Sequence, residues 1–434
     1  MKKILSSILA AAMLLTFTAC GGSSGGSNST DTSTDTSSDT STSEISDNGS
    51  STDTPSTPDN PVNDKPTLSD EATYNAMVER SLMTTGDMTR MANVLKKAEN
   101  GEEITIAYIG GSITEGLTVA PAEPELCWAY LSHKWLCEKY PDTKINYVNA
   151  GLSGTPSILG NVRLERDVLA YDPDICFVEF AVNDGMEAQY RNSYESLVRT
   201  LLENENDIAV VLLFTVIESG HTCQPHMSEI GNNYGLPMIS EPDSLGVEFS
   251  EGRMTWQEYS DDQSHPNERG HKIVRDFLAH YFETVMEKID ENTGTVDRTL
   301  PAAKYSDRFV NMHFIDSEKL EPELVGFDKD TAHSAFQNSW SYFDSVGASF
   351  KFTINCKSLE LVYKANKSKA YAEAEIYIDG EQTTTVNAYQ RDGWENPVTA
   401  LIIDNDEAAE HTVEIKIAGE NKRYFAILGF GYCD

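Results

Sequence analysis

Four stretches far apart in the chain hold what acyl transfer through a hydroxyl needs. Gly110-Gly111-Ser112-Ile113-Thr114, Gly151-Leu152-Ser153-Gly154-Thr155 and Val182-Asn183-Asp184 each end or directly follow a short apolar run, and they offer a hydroxyl, a glycine amide and a carboxamide. A serine oxygen can attack a carbonyl, while the backbone N–H groups of Ser112 and Gly154 and the Asn183 side-chain amide donate to the oxyanion. Glycine at 111 and 154 lets the backbone turn sharply and a substrate approach without a Cβ in the way. The base comes late, in Asp262-Gln263-Ser264-His265-Pro266-Asn267. Three apart in a helical turn, Asp262 and His265 lie on one side. The carboxylate can then bond one ring nitrogen, fix the tautomer and stabilise the imidazolium, while the other nitrogen faces the serine. Each stretch also has a plainer reading: Ser112 as a helix N-cap, Asn183-Asp184 as cap or turn residues, Asp-x-x-His as the start of a surface helix. Their joint occurrence, in the order Ser, Gly, Asn, Asp-x-x-His, favours chemistry.

For these residues to meet, the runs before them must be neighbours in one sheet. Residues 69–100 read as helical; short apolar runs follow at 104–109, 145–149, 175–182, 209–215 and 237–240. Amphipathic segments at 126–140, 159–170 and 193–204 separate them, and a last helix is expected at 268–289. Wholly apolar strands alternating with helices predict an α/β unit with a parallel sheet covered on both faces, and ligands bind such sheets outside the carboxyl ends of the strands. Past about residue 290 the texture changes to alternating segments at 349–355, 358–364, 372–379, 398–404, 411–418 and 424–432. Phe350, Phe352 and Ile354 share a face, as do Val413, Ile415 and Ile417, and Asp379-Gly380 reads as a turn. These features predict an all-β, jelly-roll-like sandwich.

In this order the four blocks resemble the SGNH (GDSL-like) hydrolases, over about residues 104–289. The resemblance implies a flavodoxin-like three-layer sandwich with a central parallel sheet. It makes Ser112 the nucleophile and first oxyanion amide, Gly154 and Asn183 the rest of the oxyanion hole, His265 the general base and then acid, and Asp262 its orienting partner. The family's Gly-Asp-Ser-Leu stands here as Gly110-Gly111-Ser112-Ile113, and Ala181-Val182-Asn183-Asp184 lacks the usual glycine before the asparagine, which bears on loop shape and substrate fit. The implied reaction is ester hydrolysis through an acyl-enzyme, with no metal or organic cofactor.

The amino terminus carries Lys2 and Lys3, then an apolar run over 4–17 and small residues before Cys20. This is a secretory signal over residues 1–20, too short in its apolar part to stay as a membrane span. Phe17-Thr18-Ala19-Cys20 resembles the lipobox of bacterial lipoproteins, with Phe17 where leucine is usual, and implies diacylation of Cys20 and a lipid-anchored protein facing outside the cytoplasm; cleavage and secretion is the alternative. From 21 to 66 the chain is Ser, Thr, Asp, Gly and Pro with only Ile45 and Val62 as sizeable apolar groups, so it can bury no core. As a flexible tether its ends lie about 35 to 40 Å apart, enough to hold a catalytic domain off the membrane. The rest divides into an expected hydrolase domain at 67–290 and a β-sandwich at 291–434, which suits carbohydrate binding. A net charge of -36 argues against nucleic acid and against strongly anionic polymers as substrates.

Cys127, Cys137, Cys176, Cys223, Cys356 and Cys433 show no CxxC pair or metal spacing, and permit either disulfides or buried thiols. His221-Thr222-Cys223-Gln224-Pro225-His226 suggests zinc, but Pro225 and the lack of a fourth ligand favour a substrate-facing loop. Trp128, Tyr130 and Trp135 read as helix core, with Trp128 or Tyr130 as candidates for the pocket border. Trp256 and Tyr259 are candidates to stack on a sugar; Trp340, Tyr342, Tyr389 and Trp394 suit either a carbohydrate platform or a cover for the sandwich ends. The leading substrate is an O-acetyl group on polysaccharide. A lipase or thioesterase with an apolar channel, and a catalytically silent glycan-binding surface lipoprotein, are the competing readings.

Overall fold

The computed structural model describes residues 68–119, 122–343, 347–418 and 423–434; the leader with Cys20 and the segment up to residue 66 lie outside them. In chain order the first part runs α1 (Glu71–Ser81), β1 (Leu82–Thr84), α2 (Thr89–Glu99), β2 (Ile104–Gly110), α3 (Ser112–Glu115), α4 (Trp128–Lys139), β3 (Ile145–Gly151) and α5 (Ser157–Asp167). It continues with β4 (Ile175–Glu179), α6 (Ala188–Glu203), β5 (Ala209–Phe214), α7 (Gln224–Tyr234), β6 (Met238–Ser240), α8 (Glu241–Ser250), α9 (Trp256–Tyr259) and α10 (Glu268–Met286).

These strands form one sheet in the order β1-β6-β5-β4-β2-β3. All pairs from β3 to β6 are parallel, and numbered by their own succession they lie in the flavodoxin-like order 2-1-3-4-5. The switch of direction falls at β2, the strand that leads into Ser112. Each strand splits its side chains between two cores. Ile106, Tyr108, Phe177, Val211 and Leu213 pack with α2, α4 and α10. Ala107, Ile109, Cys176, Val178, Val210 and Leu212 pack with α6 and α7. That two-sided burial explains why the runs read as apolar throughout.

Two local expectations are corrected. The helix expected over 69–100 is broken by β1, which adds an antiparallel edge to the otherwise parallel sheet by pairing with β6. Thr84-Thr85-Gly86 explains the break, because β-branched residues disfavour a helix and Gly86 takes φ +54° against the backbone of Gly235 and Leu236. The helices α7 and α8 fall where none was expected. Their prolines, Pro225 and Pro242, sit in the first turn, where a missing N–H costs nothing.

The second part holds β7 (His313–Ile315), β8 (Glu323–Val325), β9 (Phe327–Asp330), β10 (Ser339–Phe343), β11 (Ser349–Asn366), β12 (Glu373–Ile378), β13 (Glu381–Asn387), β14 (Trp394–Ile417) and β15 (Tyr424–Cys433). Every pairing is antiparallel, giving the all-β sandwich. The segments expected separately at 349–355 and 358–364 are one strand, β11, and those at 398–404 and 411–418 are one strand, β14. Register shifts at Cys356/Ser358 and Leu359/Glu360 mark bulges, which let such long strands bend around the core. Asp379 and Gly380, at φ 54° and 85°, make the expected tight hairpin.

Helix α5 is buried from two sides. Leu164 faces the parallel sheet, while Leu159 and Val162 pack with Phe309, Met312, Phe314, Val362, Ala426 and Leu428 of the second part. The connection between the parts is held by Glu195 of α6, a buried carboxylate that accepts the backbone N–H groups of Lys304, Tyr305 and Ser306 at 2.5, 2.5 and 2.9 Å and the Tyr234 hydroxyl at 2.8 Å. Glu195→Ala strands all four donors. It is expected to cost about 3 kcal/mol in urea unfolding, and Glu195→Gln, which keeps a carbonyl acceptor, distinctly less.

Candidate active site

Strand β2 ends at Gly110, and the chain turns at Gly111 so that Ser112 opens α3. Ser112 Oγ lies 2.8 Å from His265 Nε2. The other ring nitrogen, Nδ1, lies 2.7 Å from Asp262 Oδ2. Sequence reasoning placed Asp262 and His265 in a helical turn; they instead occupy an irregular loop before α10. That loop is shaped by the carboxylate itself, since Asp262 Oδ1 accepts the N–H groups of Ser264 and His265 at 2.7 Å each. Trp256 Nε1 donates to the Asp262 carbonyl at 2.5 Å, and Asn267 N donates to the Tyr259 carbonyl at 2.8 Å. Burial pushes the Asp262 carboxyl up, but its bonds to the His265 ring and to the two amides outweigh this, and its pKa falls below the ordinary value.

The expected oxyanion donors converge on the same edge. As the first residue of α3, Ser112 has an N–H with no acceptor inside the helix. A Cβ at 111 would collide with the Asn183 carboxamide, so glycine there is what lets Asn183 close on the nucleophile turn. Gly154 takes φ +67°, and its loop is fixed by Glu115 of α3, which accepts the N–H of Ser153 at 2.7 Å and also its hydroxyl. Asp184 accepts the N–H of Ser157 at 2.7 Å and so ties the Asn183 turn to the start of α5.

The second part reaches this edge with Trp394. A Cβ on Gly154 would stand 2.9 Å from Cζ2 of Trp394, the first residue of β14, whose side chain is exposed. Leu117 and Met186, on the loops after Ser112 and Asn183, are also exposed.

Other expectations sort by burial. Trp128 is fully buried, its Nε1 donating to the Ile113 carbonyl at 3.0 Å, so it braces the nucleophile helix and does not border a pocket; Tyr130 packs on His133 and Tyr147. Trp256 and Tyr259 are buried, which leaves no open ring face for a sugar; they shape the loop of Asp262 and His265. Trp340 and Tyr342 are core residues of the sandwich, which leaves Tyr389 and Trp394 as the exposed aromatics of the four. The His221 to His226 motif is half loop and half helix: 221–223 lead irregularly into α7, which Gln224, Pro225 and His226 open, and Cys223 and His226 are buried while His221 is exposed. Six cysteines carry free thiols.

Sequence reasoning missed the buried polar groups under the edge. Glu179 accepts the hydroxyls of Thr114 and Thr215 at 2.8 and 2.7 Å and the amide of Gly111. Arg163 donates to the Gly110 carbonyl at 3.0 Å. The signal was present, since an acid inside a wholly apolar strand run is costly without partners.

Residues 108–273 match the GDSL-like lipase/acylhydrolase family, and that match agrees with the fold and site described above. Over a longer stretch the chain is similar to the crystal structure of a two-domain esterase active on acetylated mannans, co-crystallised with mannopentaose. The two share 26% identity and a TM-score of 0.74 over 82% of this chain and 98% of that one. A second crystal structure of a two-domain esterase active on acetylated mannans gives 26% identity and a TM-score of 0.73, over 82% of this chain and 99% of that one. No curated protein sequence matches the chain.

Behind the imidazole, His271 is buried, with Nδ1 accepting the N–H of Trp128 at 3.3 Å. Burial, and then the charge of His265, push its pKa down to about 3. Unfolded, it would take a proton near about 6.5, so below that pH the unfolded chain binds the extra proton. Stability from this group is therefore complete above about pH 6.5 and is lost as pH falls toward about 3. Urea midpoints between pH 7 and 4 should fall less steeply for His271→Asn than for the wild type.

Proposed function

We propose that this chain is a serine esterase that removes O-acetyl groups from polysaccharide, with acetylated mannan as the first substrate to test. The observation that carries the reading is the contact of Ser112 Oγ with His265 Nε2 at 2.8 Å, backed by Asp262, on the edge where Gly154 and Asn183 also stand. Ser112 attacks the acetyl carbonyl as His265 takes its proton. The N–H groups of Ser112 and Gly154 and the Asn183 amide stabilise the oxyanion, and Asp262 holds the ring in the tautomer that leaves Nε2 free to accept. The sugar hydroxyl departs with the proton from His265; water, deprotonated by the same ring, then releases acetate.

The substrate class is supported by the similarity to the two-domain esterase along nearly its whole length. Trp394 beside Gly154 adds a physical reason, since an aromatic face at the rim of an acyl site suits the apolar face of a sugar ring. Acetate release from acetylated mannan is expected to fall about a thousandfold or more for Ser112→Ala and His265→Ala, and less for Asp262→Asn. Trp394→Ala should lose activity on the polymer while keeping that on 4-nitrophenyl acetate. Release that is unchanged in Ser112→Ala would refute the reading.

The leader supports export and anchoring through a diacylated Cys20, with the polar segment to residue 66 as tether. Expressed in a bacterium, the protein should partition into Triton X-114 detergent and Cys20→Ser into the aqueous phase; equal partition of the two excludes the anchor.

A further inference from the structure

The bonds under the sheet edge form a continuous path from the nucleophile to the base. Thr114, two residues after Ser112, turns its hydroxyl back into the sheet to Glu179 at 2.8 Å; a Cβ on Gly110 would occupy the place of that hydroxyl. Glu179 also holds the amide of Gly111, the residue before Ser112. Its other oxygen receives the Thr215 hydroxyl at 2.7 Å. The next residue, Val216, donates its N–H to Glu241 Oε2 at 3.0 Å, and Glu241 Oε1 accepts the Tyr259 hydroxyl at 2.8 Å. Tyr259 in turn receives Asn267 on its carbonyl, which closes the loop of Asp262 and His265. Thr114, Glu179, Thr215, Glu241 and Tyr259 are all buried, whereas the Ser112 and His265 side chains bond each other and Asp262.

We infer that Glu179 and Glu241 are positioning residues: together they form a buried strut that sets the distance between the Ser112 turn and the His265 loop. This inference rests on the serine esterase reading above. The need for a strut is geometric. Ser112 leaves the sheet at β2, whereas His265 sits on a loop beyond β6, and β4 and β5 lie between those strands. A hydrogen bond between residues carried by such distant strands holds its length only if the strand ends cannot move against each other. The two carboxylates bridge them stepwise, Glu179 from the end of β4 to the turn after β2 and to the end of β5, Glu241 from the end of β6 to the end of β5 and to α9. Each carboxylate spans two directions because its two separate oxygens each accept from a different element.

Misplacing the attacking oxygen by a fraction of an ångström costs transition-state stabilisation and leaves ground-state binding intact. The expected signature is thus a loss in kcat with KM little changed. The test compares the full chain with Thr114→Val, Thr114→Ser, Glu179→Gln and Tyr259→Phe on 4-nitrophenyl acetate and on acetylated mannan, with Ser112→Ala as blank and thermal unfolding of each. Thr114→Val and Tyr259→Phe should lower kcat about ten- to a hundredfold with KM within about twofold, and Thr114→Ser, which restores the hydroxyl, should recover most of it. Glu179→Gln is expected to be the most damaged; if it does not fold, the Thr114 and Tyr259 variants decide. Wild-type kcat in Thr114→Val and Tyr259→Phe, or a loss that follows melting temperature and raises KM equally, overturns the strut while leaving the esterase reading in place. A Ser112→Ala protein as active as the wild type overturns both.

Discussion

Where a parallel sheet ends, its chain steps off the hydrogen-bond ladder, and the backbone groups it carries there must find partners inside a dry interior. That constraint governs the carboxyl edge of this molecule. The Gly110 carbonyl is met by Arg163, the Gly111 amide by Glu179, the Ser157 amide by Asp184 and the Val216 amide by Glu241, all four side chains being buried. Water could serve an exposed edge of this kind, but its loops would then be free to shift. Ionisable side chains fixed in the core serve it with defined geometry, and the loops that carry Ser112, Asn183 and His265 inherit that definition.

Using carboxylates for this purpose has an electrostatic consequence. Burial pushes Asp184 up to about 7 and Glu241 up to about 8, with the charge of Glu179 adding to both, and burial raises Glu179 as well. The three differ in what opposes the rise. Glu179 receives two hydroxyls and an amide, Glu241 one hydroxyl and one amide, and Asp184 has an oxygen, Oδ2, with no partner. Both Glu241 and Asp184 can therefore hold a proton near neutral pH, Glu241 the more readily, and either proton relieves repulsion that would otherwise bear on Glu179, the acid closest in bonding to the nucleophile turn.

The strands β2, β4 and β5 were legible because burial on both faces writes itself as an unbroken apolar run, and the residues after them were legible because a parallel sheet gathers its strand ends. Ser112, Gly154, Asn183, Asp262 and His265 meet at one edge for that reason. β1 was not legible: three residues pair with an edge strand by tertiary contact alone, inside a stretch of helical character. The helices α7 and α8 were hidden by prolines whose position in a helix cannot be told from a loop without knowing where the first turn falls. Trp256 and Tyr259 were read as candidate sugar platforms because aromatic type and nearness to His265 say nothing of which way a ring points. In the fold both turn inward, Trp256 Nε1 bonding the Asp262 carbonyl and the Tyr259 hydroxyl bonding Glu241.

Trp394 marks what sequence order conceals altogether. It lies 240 positions after Gly154 in the chain, and its arrival there follows from α5. Gly154 stands three residues before that helix, whose outer side, Leu159 and Val162, is apolar and would be bare if the sandwich were removed. Burying those residues against β15 and its neighbours fixes the sandwich by the same helix whose start fixes the Gly154 loop. The described residues from 68 on accordingly form one compact unit. A change in how the sandwich packs on α5 would move Trp394 and Gly154 relative to each other, so the hydrophobic seam and the geometry of the acyl site cannot vary independently. The second part is thus tied to the site through packing, whatever its exposed surface binds.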